Sequence, residues 1–274
     1  MEYTPFTIKA HNTPISGGYA QPAEVKAVVV LVHGFGEHLG RYKERVVPNL
    51  VASGCAVLLY DNFGHGISGG KRGHCPSYEA LLDLLEIVIA KATELYPHQP
   101  LILYGHSLGG NLVLNYALRR QTKIKGIIAT SPYLRLAFEP PAWKMGLGKL
   151  MLKIAPSFTL PSGLDPSGIS RDAEEVEKYI KDPLVHDKVS PMFSLPIMEA
   201  GSWAIANANK LEAPTLLVHG TADPIIDPQG TQEFHQNSEN TLLELFPGAY
   251  HELHNDSCRE GFFKLILNWL RQQL

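Results

Sequence analysis

The sequence predicts an α/β protein with a mostly parallel central sheet, helices on both faces and a helical cap inserted late in the chain. Three observations carry this. Short runs of β-branched residues and leucine recur without polar alternation, the pattern of strands buried on both faces. Segments with apolar residues at helical spacing fall between those runs, as a parallel sheet requires for its crossovers. One stretch, residues 132–210, breaks the rhythm.

Taken in order, the first strand signal is residues 25–32 (VKAVVVLV), and the second is residues 55–60 (CAVLLY). Residues 78–96 place Leu81, Leu84, Leu85, Val88 and Ala92 on one helical face. A strand follows at residues 101–104 (LILY), a helix at 111–120 and a strand at 124–130 (IKGIIAT). Residues 132–210 contain no strand signal and are cut by prolines, among them Pro140, Pro141, Pro156, Pro161, Pro166, Pro183, Pro191 and Pro196. Trp143, Leu147, Leu150, Met151 and Ile154 repeat there at helical spacing. We read residues 132–210 as a cap inserted after about the sixth strand, within a single domain of residues 1–274. Strands at residues 215–219 (TLLVH) and 241–246 (TLLELF) and a helix at 258–274 complete the alternation.

Composition narrows the function classes. The chain has 274 residues, ample for a buried core, with 45% hydrophobic and 19% charged residues and a formal net charge of −3. Basic residues occur as isolated pairs, so no nucleic-acid partner is expected. Cys55, Cys75 and Cys258 are odd in number and scattered, which suits free thiols rather than a disulfide framework. The start MEYTPFTIKAHN has neither the basic region nor the apolar core of a signal peptide. No apolar run approaches the roughly 18 residues of a spanning helix. The expected location is cytoplasmic, or peripheral at membranes.

The candidate for chemistry is GHSLGG, residues 105–110. A G-x-S-x-G match is weak alone, and this chain holds two: Gly105 to Gly109 around Ser107, and Gly66 to Gly70 around Ser68. Only the first lies between a strand (LILY) and a helix-forming run (GGNLVLNYALRR). A serine at that corner is forced into a strained, exposed turn, and small residues two before and two after relieve the crowding. The turn also sets the N–H of Leu108 at a helix N-terminus, where it can stabilise an oxyanion. Ser68 trails its strand and runs into KRGHCPS, so it reads as a loop residue.

A serine needs a base, and the base an orienting acid, each on a loop after a strand in the order Ser, Asp, His. TLLVHGTADPIID offers Asp223 just past a strand end, with Asp227 as the alternative, better placed to cap the next helix. TLLELFPGAYHELHND offers His251, with His254 three residues on. The spacing of His251-Glu252-Leu253-His254 is not that of a zinc motif, and no metal ligand set is indicated. The second oxyanion donor is expected in HGFGEHLGRY after residue 32, with the N–H of Phe35 as the candidate. His33 and His106 read as packing residues beside the site.

HGFGEHLGRY, DNFGHGISGG, GHSLGG, SPYLRL, DPLVHDK, LLVHGTADPI and GAYHELHND, in that order, resemble the monoacylglycerol lipase and lysophospholipase-like branch of the serine α/β hydrolases. The resemblance implies the α/β-hydrolase fold, with Ser107, Asp223 and His251 as triad and Phe35 and Leu108 as oxyanion positions. It further implies Glu37, Arg41 and His254 as polar residues on the alcohol side of the substrate. Phe35 stands where mammalian members have alanine, which implies a narrower pocket. The implied activity is hydrolysis of monoacylglycerols to fatty acid and glycerol through an acyl-enzyme, with no metal or organic cofactor. The same residues would serve a short-chain carboxylesterase, a lysophospholipase or a prolyl aminopeptidase, and a non-catalytic binding protein can keep the fold. The implied partner is a small lipid or ester, and the apolar cap residues suggest contact with a membrane or micelle.

Overall fold

The computed structural model describes residues 2–120 and 123–274. Its central sheet has eight strands in the order β1-β2-β4-β3-β5-β6-β9-β10. Six of them are parallel: β3 (Ala27–Val32), β4 (Cys55–Tyr60), β5 (Leu101–His106), β6 (Gly126–Thr130), β9 (Thr215–Gly220) and β10 (Thr241–Phe246). The apolar runs become these strands because helices cover both faces. Val28, Val30 and Val32 of β3 point to one face, against α2 (Tyr78–Leu95) and α3 (Leu108–Arg119). Val29 and Leu31 point to the other, against α1 (Val46–Ala52) and α8 (Arg259–Gln273). The α2 stripe of Leu81, Leu84, Leu85, Val88 and Ala92 is fully buried, as its spacing predicts.

The sequence reading missed an antiparallel hairpin at one sheet edge, β1 (Thr4–Ala10) and β2 (Thr13–Ala20), with β2 also antiparallel to β4. The β2 segment, TPISGGYA, has poor strand propensity. Its glycines are there for closeness: a Cβ on Gly17 would sit 2.4 Å from the Phe6 ring and 2.7 Å from Leu59 O. His11 and Asn12 both take positive φ, as a two-residue hairpin turn of primed type demands.

The 132–210 segment leaves after β6, the sixth strand in chain order, and returns before β9. It holds α4 (Ala142–Ile154), α5 (Ala173–Lys181) and α6 (Pro191–Ala206). Contrary to expectation it also contains a minimal antiparallel ladder, β7 (Leu160–Pro161) with β8 (Lys188–Val189). These two-residue strands are too short for any periodicity to announce them. The last half of α6 belongs physically to the body, since Ile197, Ala200 and Ala204 join the core beside α3. By contrast α4 buries no residue completely, and Trp143, Leu147, Leu150 and Ile154 are all exposed. After β9, α7 (Pro228–Gln236) completes the covering of that face. No helix among the described residues is long and apolar enough to cross a membrane.

Candidate active site

Ser107 occupies the single residue between β5 and α3, with φ 52° and ψ −113°. Such a backbone costs of order 1–3 kcal/mol and survives only where neighbours fix it. Here Ser107 N–H donates to Thr130 O at 2.9 Å, while Ser107 O accepts from Asn111 N at 3.0 Å and Tyr133 N at 2.9 Å. The flanking glycines are steric necessities. A Cβ on Gly105 would lie 2.2 Å from Gly109 O, and one on Gly109 would lie 2.0 Å from Val32 O. Ser68 of the second motif is held in a loop, accepting from Ser16 N and donating to Asp61 O.

Asp223 follows β9 by three residues, and its carboxylate is completely buried and saturated. Oδ1 accepts from Ile225 N (2.8 Å) and Ile226 N (3.1 Å), and Oδ2 bonds His251 Nδ1 (2.6 Å) and His219 Nε2 (3.0 Å). Burial alone would raise its pKa, but His251 and His219 outweigh burial and hold it below the usual carboxylate range. Asp227 instead caps α7, accepting from Gln229 N at 2.9 Å.

His251 lies in the loop after β10, and the Nδ1 bond to Asp223 leaves Nε2 free to take a proton. Burial pulls its pKa down, the Asp223 charge pushes it up, Glu252 and Glu37 add to the push, and the net shift is upward. Ser107 and His251 line the same cavity. Among the described residues no hydrogen bond of ordinary geometry joins them; such bonds commonly tighten only when substrate is seated. Ser131 Oγ donates to His251 O at 2.7 Å and so anchors the loop from beneath. His106, ring centroid 4.8 Å from that of His251, bonds Thr130 Oγ1 and is kept neutral by burial and by its histidine neighbours.

The loop after β3 brings Phe35 to the cavity wall. Gly34 N–H donates to Glu37 Oε1 (2.7 Å) and Gly36 N–H to His65 Nε2 (3.1 Å). The N–H of Phe35 between them, like that of Leu108, finds no acceptor among the described residues. The Phe35 ring packs with His65, His186 and Phe193 at centroid distances of 5.2–5.8 Å.

The three residues expected on the alcohol side separate. Glu37 borders the cavity, whereas Arg41 and His254 stand behind its lining. His254 is fully buried, stacked on Tyr42 at 5.2 Å, with both ring nitrogens unpartnered and its pKa pushed down to about 4, first by burial. Arg41 is clamped between Glu37 and Glu252. Sequence reasoning missed three contributors: His219, Ser131 and Glu252. His219 had a signal, since it lies four residues before Asp223 at the end of a strand. Glu252 stands in the sequence only as part of His251-Glu252-Leu253-His254, and Ser131 has no signal.

The cavity holds about 850 Å³ and reaches from Ser107 and His251 into the cap, where its wall is mainly apolar, including Leu147, Met151, Phe158 and Leu164, with Ile225 of the β9–α7 loop beside them. A parallel sheet with a strained serine at a strand-to-helix corner and an Asp–His pair on later loops is the architecture of a serine α/β hydrolase. The family comparison agrees: residues 23–258 match Hydrolase_4, described as serine aminopeptidase, S33, and the chain belongs to that family. A monoacylglycerol lipase of Mycolicibacterium smegmatis is 31% identical, covering 91% of this chain and 89% of that protein. The crystal structure of Paleococcus ferrophilus monoacylglycerol lipase superposes with a TM-score of 0.86 at 34% identity, covering 100% of both chains. An uncharacterised abhydrolase domain-containing protein of Dictyostelium discoideum is 36% identical over 90% of this chain, which spans 26% of that longer protein.

Proposed function

We propose that this serine hydrolase cleaves monoacylglycerols to fatty acid and glycerol. The observation that carries the reading is the cavity, whose apolar wall leads from the cap to the Ser107 hydroxyl. Its volume of about 850 Å³ falls within the ~300–1,000 Å³ common for small-ligand sites. The lipases to which the chain is similar support the same substrate class.

In this mechanism His251 Nε2 takes the Ser107 proton as Oγ attacks the ester carbonyl. The N–H groups of Phe35 and Leu108 hold the oxyanion, each worth about 3 kcal/mol. The imidazolium, held by Asp223, gives its proton to the departing glycerol oxygen. Water then enters, His251 removes its proton, and attack on the acyl-enzyme releases the fatty acid and restores Ser107.

The aminopeptidase reading suggested by the family description needs a carboxylate free to meet an ammonium group. Five border the cavity: Glu37, Asp165, Asp182, Asp187 and Glu252. Among the described residues Glu37 and Glu252 are clamped by Arg41 and Asp182 is paired with His38, whereas Asp165 and Asp187 are exposed and offer no buried carboxylate. The exposed apolar side of α4 extends the proposal: Leu150 and Ile154, which do not line the cavity, rest on a membrane or micelle while substrate enters.

The test is a rate profile over monoacylglycerols of increasing chain length, set against p-nitrophenyl acetate, lysophosphatidylcholine and a prolyl amide. Medium or long monoacylglycerols are expected to give the highest kcat/KM, with fluorophosphonate labelling lost in Ser107→Ala. A preference for any of the other three substrates overturns the assignment.

A further inference from the structure

The chain Glu37–Arg41–Glu252 joins two loops that lie 211 residues apart in sequence. Arg41 Nη1 donates to Glu37 Oε2 at 2.7 Å and to Glu252 Oε1 at 2.5 Å, and Nη2 donates to Glu252 Oε2 at 2.7 Å. The three side chains are at most 8% exposed. Every remaining lone pair that matters is taken: Tyr42 O–H donates to Glu37 Oε1 at 2.6 Å, and Asn255 Nδ2 donates to Glu252 Oε2 at 2.9 Å. The cap closes over this group, with the Tyr179 ring of α5 4.7 Å from Arg41 Cζ.

What each end grips gives the cluster its meaning. Glu37 Oε1 holds Gly34 N–H, one residue before the Phe35 N–H assigned to the oxyanion. Glu252 follows His251 directly, and its own N–H donates to Ile169 O of the cap at 2.7 Å. A single guanidinium therefore fixes the oxyanion loop to the base loop. Stability does not account for it: a buried ion cluster is often no better than apolar residues of the same volume. A rigid planar fork does what apolar packing cannot, because it sets the spacing and orientation of two backbones at once.

We propose that Arg41, clamped by Glu37 and Glu252, is a positioning residue that sets the distance between the Phe35 N–H and the His251 imidazole, rather than a contact for the glycerol hydroxyls. This rests on the serine-hydrolase roles given to Phe35 and His251. A misplacement of about 1 Å can cost ~100-fold in rate, so loosening the brace lowers kcat whatever the leaving alcohol.

The experiment compares wild type, Arg41→Lys and Glu252→Gln on p-nitrophenyl butyrate and on monobutyrylglycerol, which share an acyl chain and differ in the alcohol. Both variants are expected to lose about tenfold to a hundredfold in kcat on both esters alike, with little change in KM and a parallel fall in fluorophosphonate labelling rate. A loss confined to the glycerol ester and carried in KM overturns the brace and restores the alcohol-contact role; full activity on both esters overturns it as well. If Glu252→Gln does not accumulate folded, Arg41→Lys still decides, because it keeps the buried charge and removes only the fork. A wild type inactive on both esters defeats the hydrolase reading itself, and the brace with it.

Discussion

Gly109→Ala and Gly146→Ala are the same substitution with opposite expected outcomes. Gly109 lies in the first turn of α3, and an added Cβ would meet Val32 O at 2.0 Å, Val32 C at 2.6 Å and His33 O at 2.9 Å. A carbon and a carbonyl oxygen settle near 3.3 Å or beyond, so the gap must open by about 1.3 Å. Val32 cannot yield, being paired to Tyr60 on one side and Gly105 on the other. The turn of α3 must move, carrying Leu108 N–H and Ser107 with it. Overpacking of this kind costs about 1–3 kcal/mol, which for a chain of this size lowers Tm by roughly 5 °C. The displaced serine is expected to lower kcat/KM about 100-fold. Gly146, inside α4, has nothing within 4 Å of an added Cβ. Alanine there raises helix stability by about 0.5–1 kcal/mol and leaves hydrolysis of a soluble ester unchanged. Differential scanning fluorimetry and p-nitrophenyl butyrate turnover read both. Wild-type Tm and rate in Gly109→Ala would refute the argument that close strand-to-helix approach holds the serine in place.

Two further outcomes follow from the site and the cap. The proton acceptor must be neutral to act, and the pKa of His251 is shifted upward from its ordinary 6.5: burial pulls it down, but the Asp223 charge and hydrogen bond, helped by Glu252 and Glu37, override burial. The kcat/KM of the wild type is therefore expected to rise with pH through a midpoint above about 6.5, and a midpoint below pH 6 contradicts the assignment of the base. Leu150→Ser combined with Ile154→Ser is expected to abolish co-flotation with phosphatidylcholine vesicles while sparing turnover of a soluble ester, and unchanged flotation removes the lipid-contact role of α4.

The parallel strands are legible because each is an apolar run, buried throughout in all but the edge strand β10, and the Ser107, Asp223 and His251 loops are legible because each follows such a run. The β1–β2 hairpin is not, since its glycines answer to Phe6, Tyr3 and Leu59 across space rather than to any local period. His219, Ser131 and Glu252 act through partners 4, 120 and 211 residues away. The last two carry no pattern in one dimension. Arg41 illustrates the same limit from the other side. Motif similarity located it near the chemistry, and only the two carboxylates around it give it a task.

The cap departs from β6 and rejoins at β9, and those two strands are hydrogen-bonded neighbours. They run parallel, with Thr130 at the end of β6 level with Val218 inside β9, so the segment leaves at one rim of the sheet and must return to the opposite one. That return is made by α6, whose Ile197, Ala200 and Ala204 lie in the core beside α3, so only the stretch before α6 can lengthen or shorten while the sheet keeps its register. The apolar wall which that stretch gives the cavity can thus be rebuilt while the strand-end loops bearing Ser107, Asp223 and His251 stay as they are.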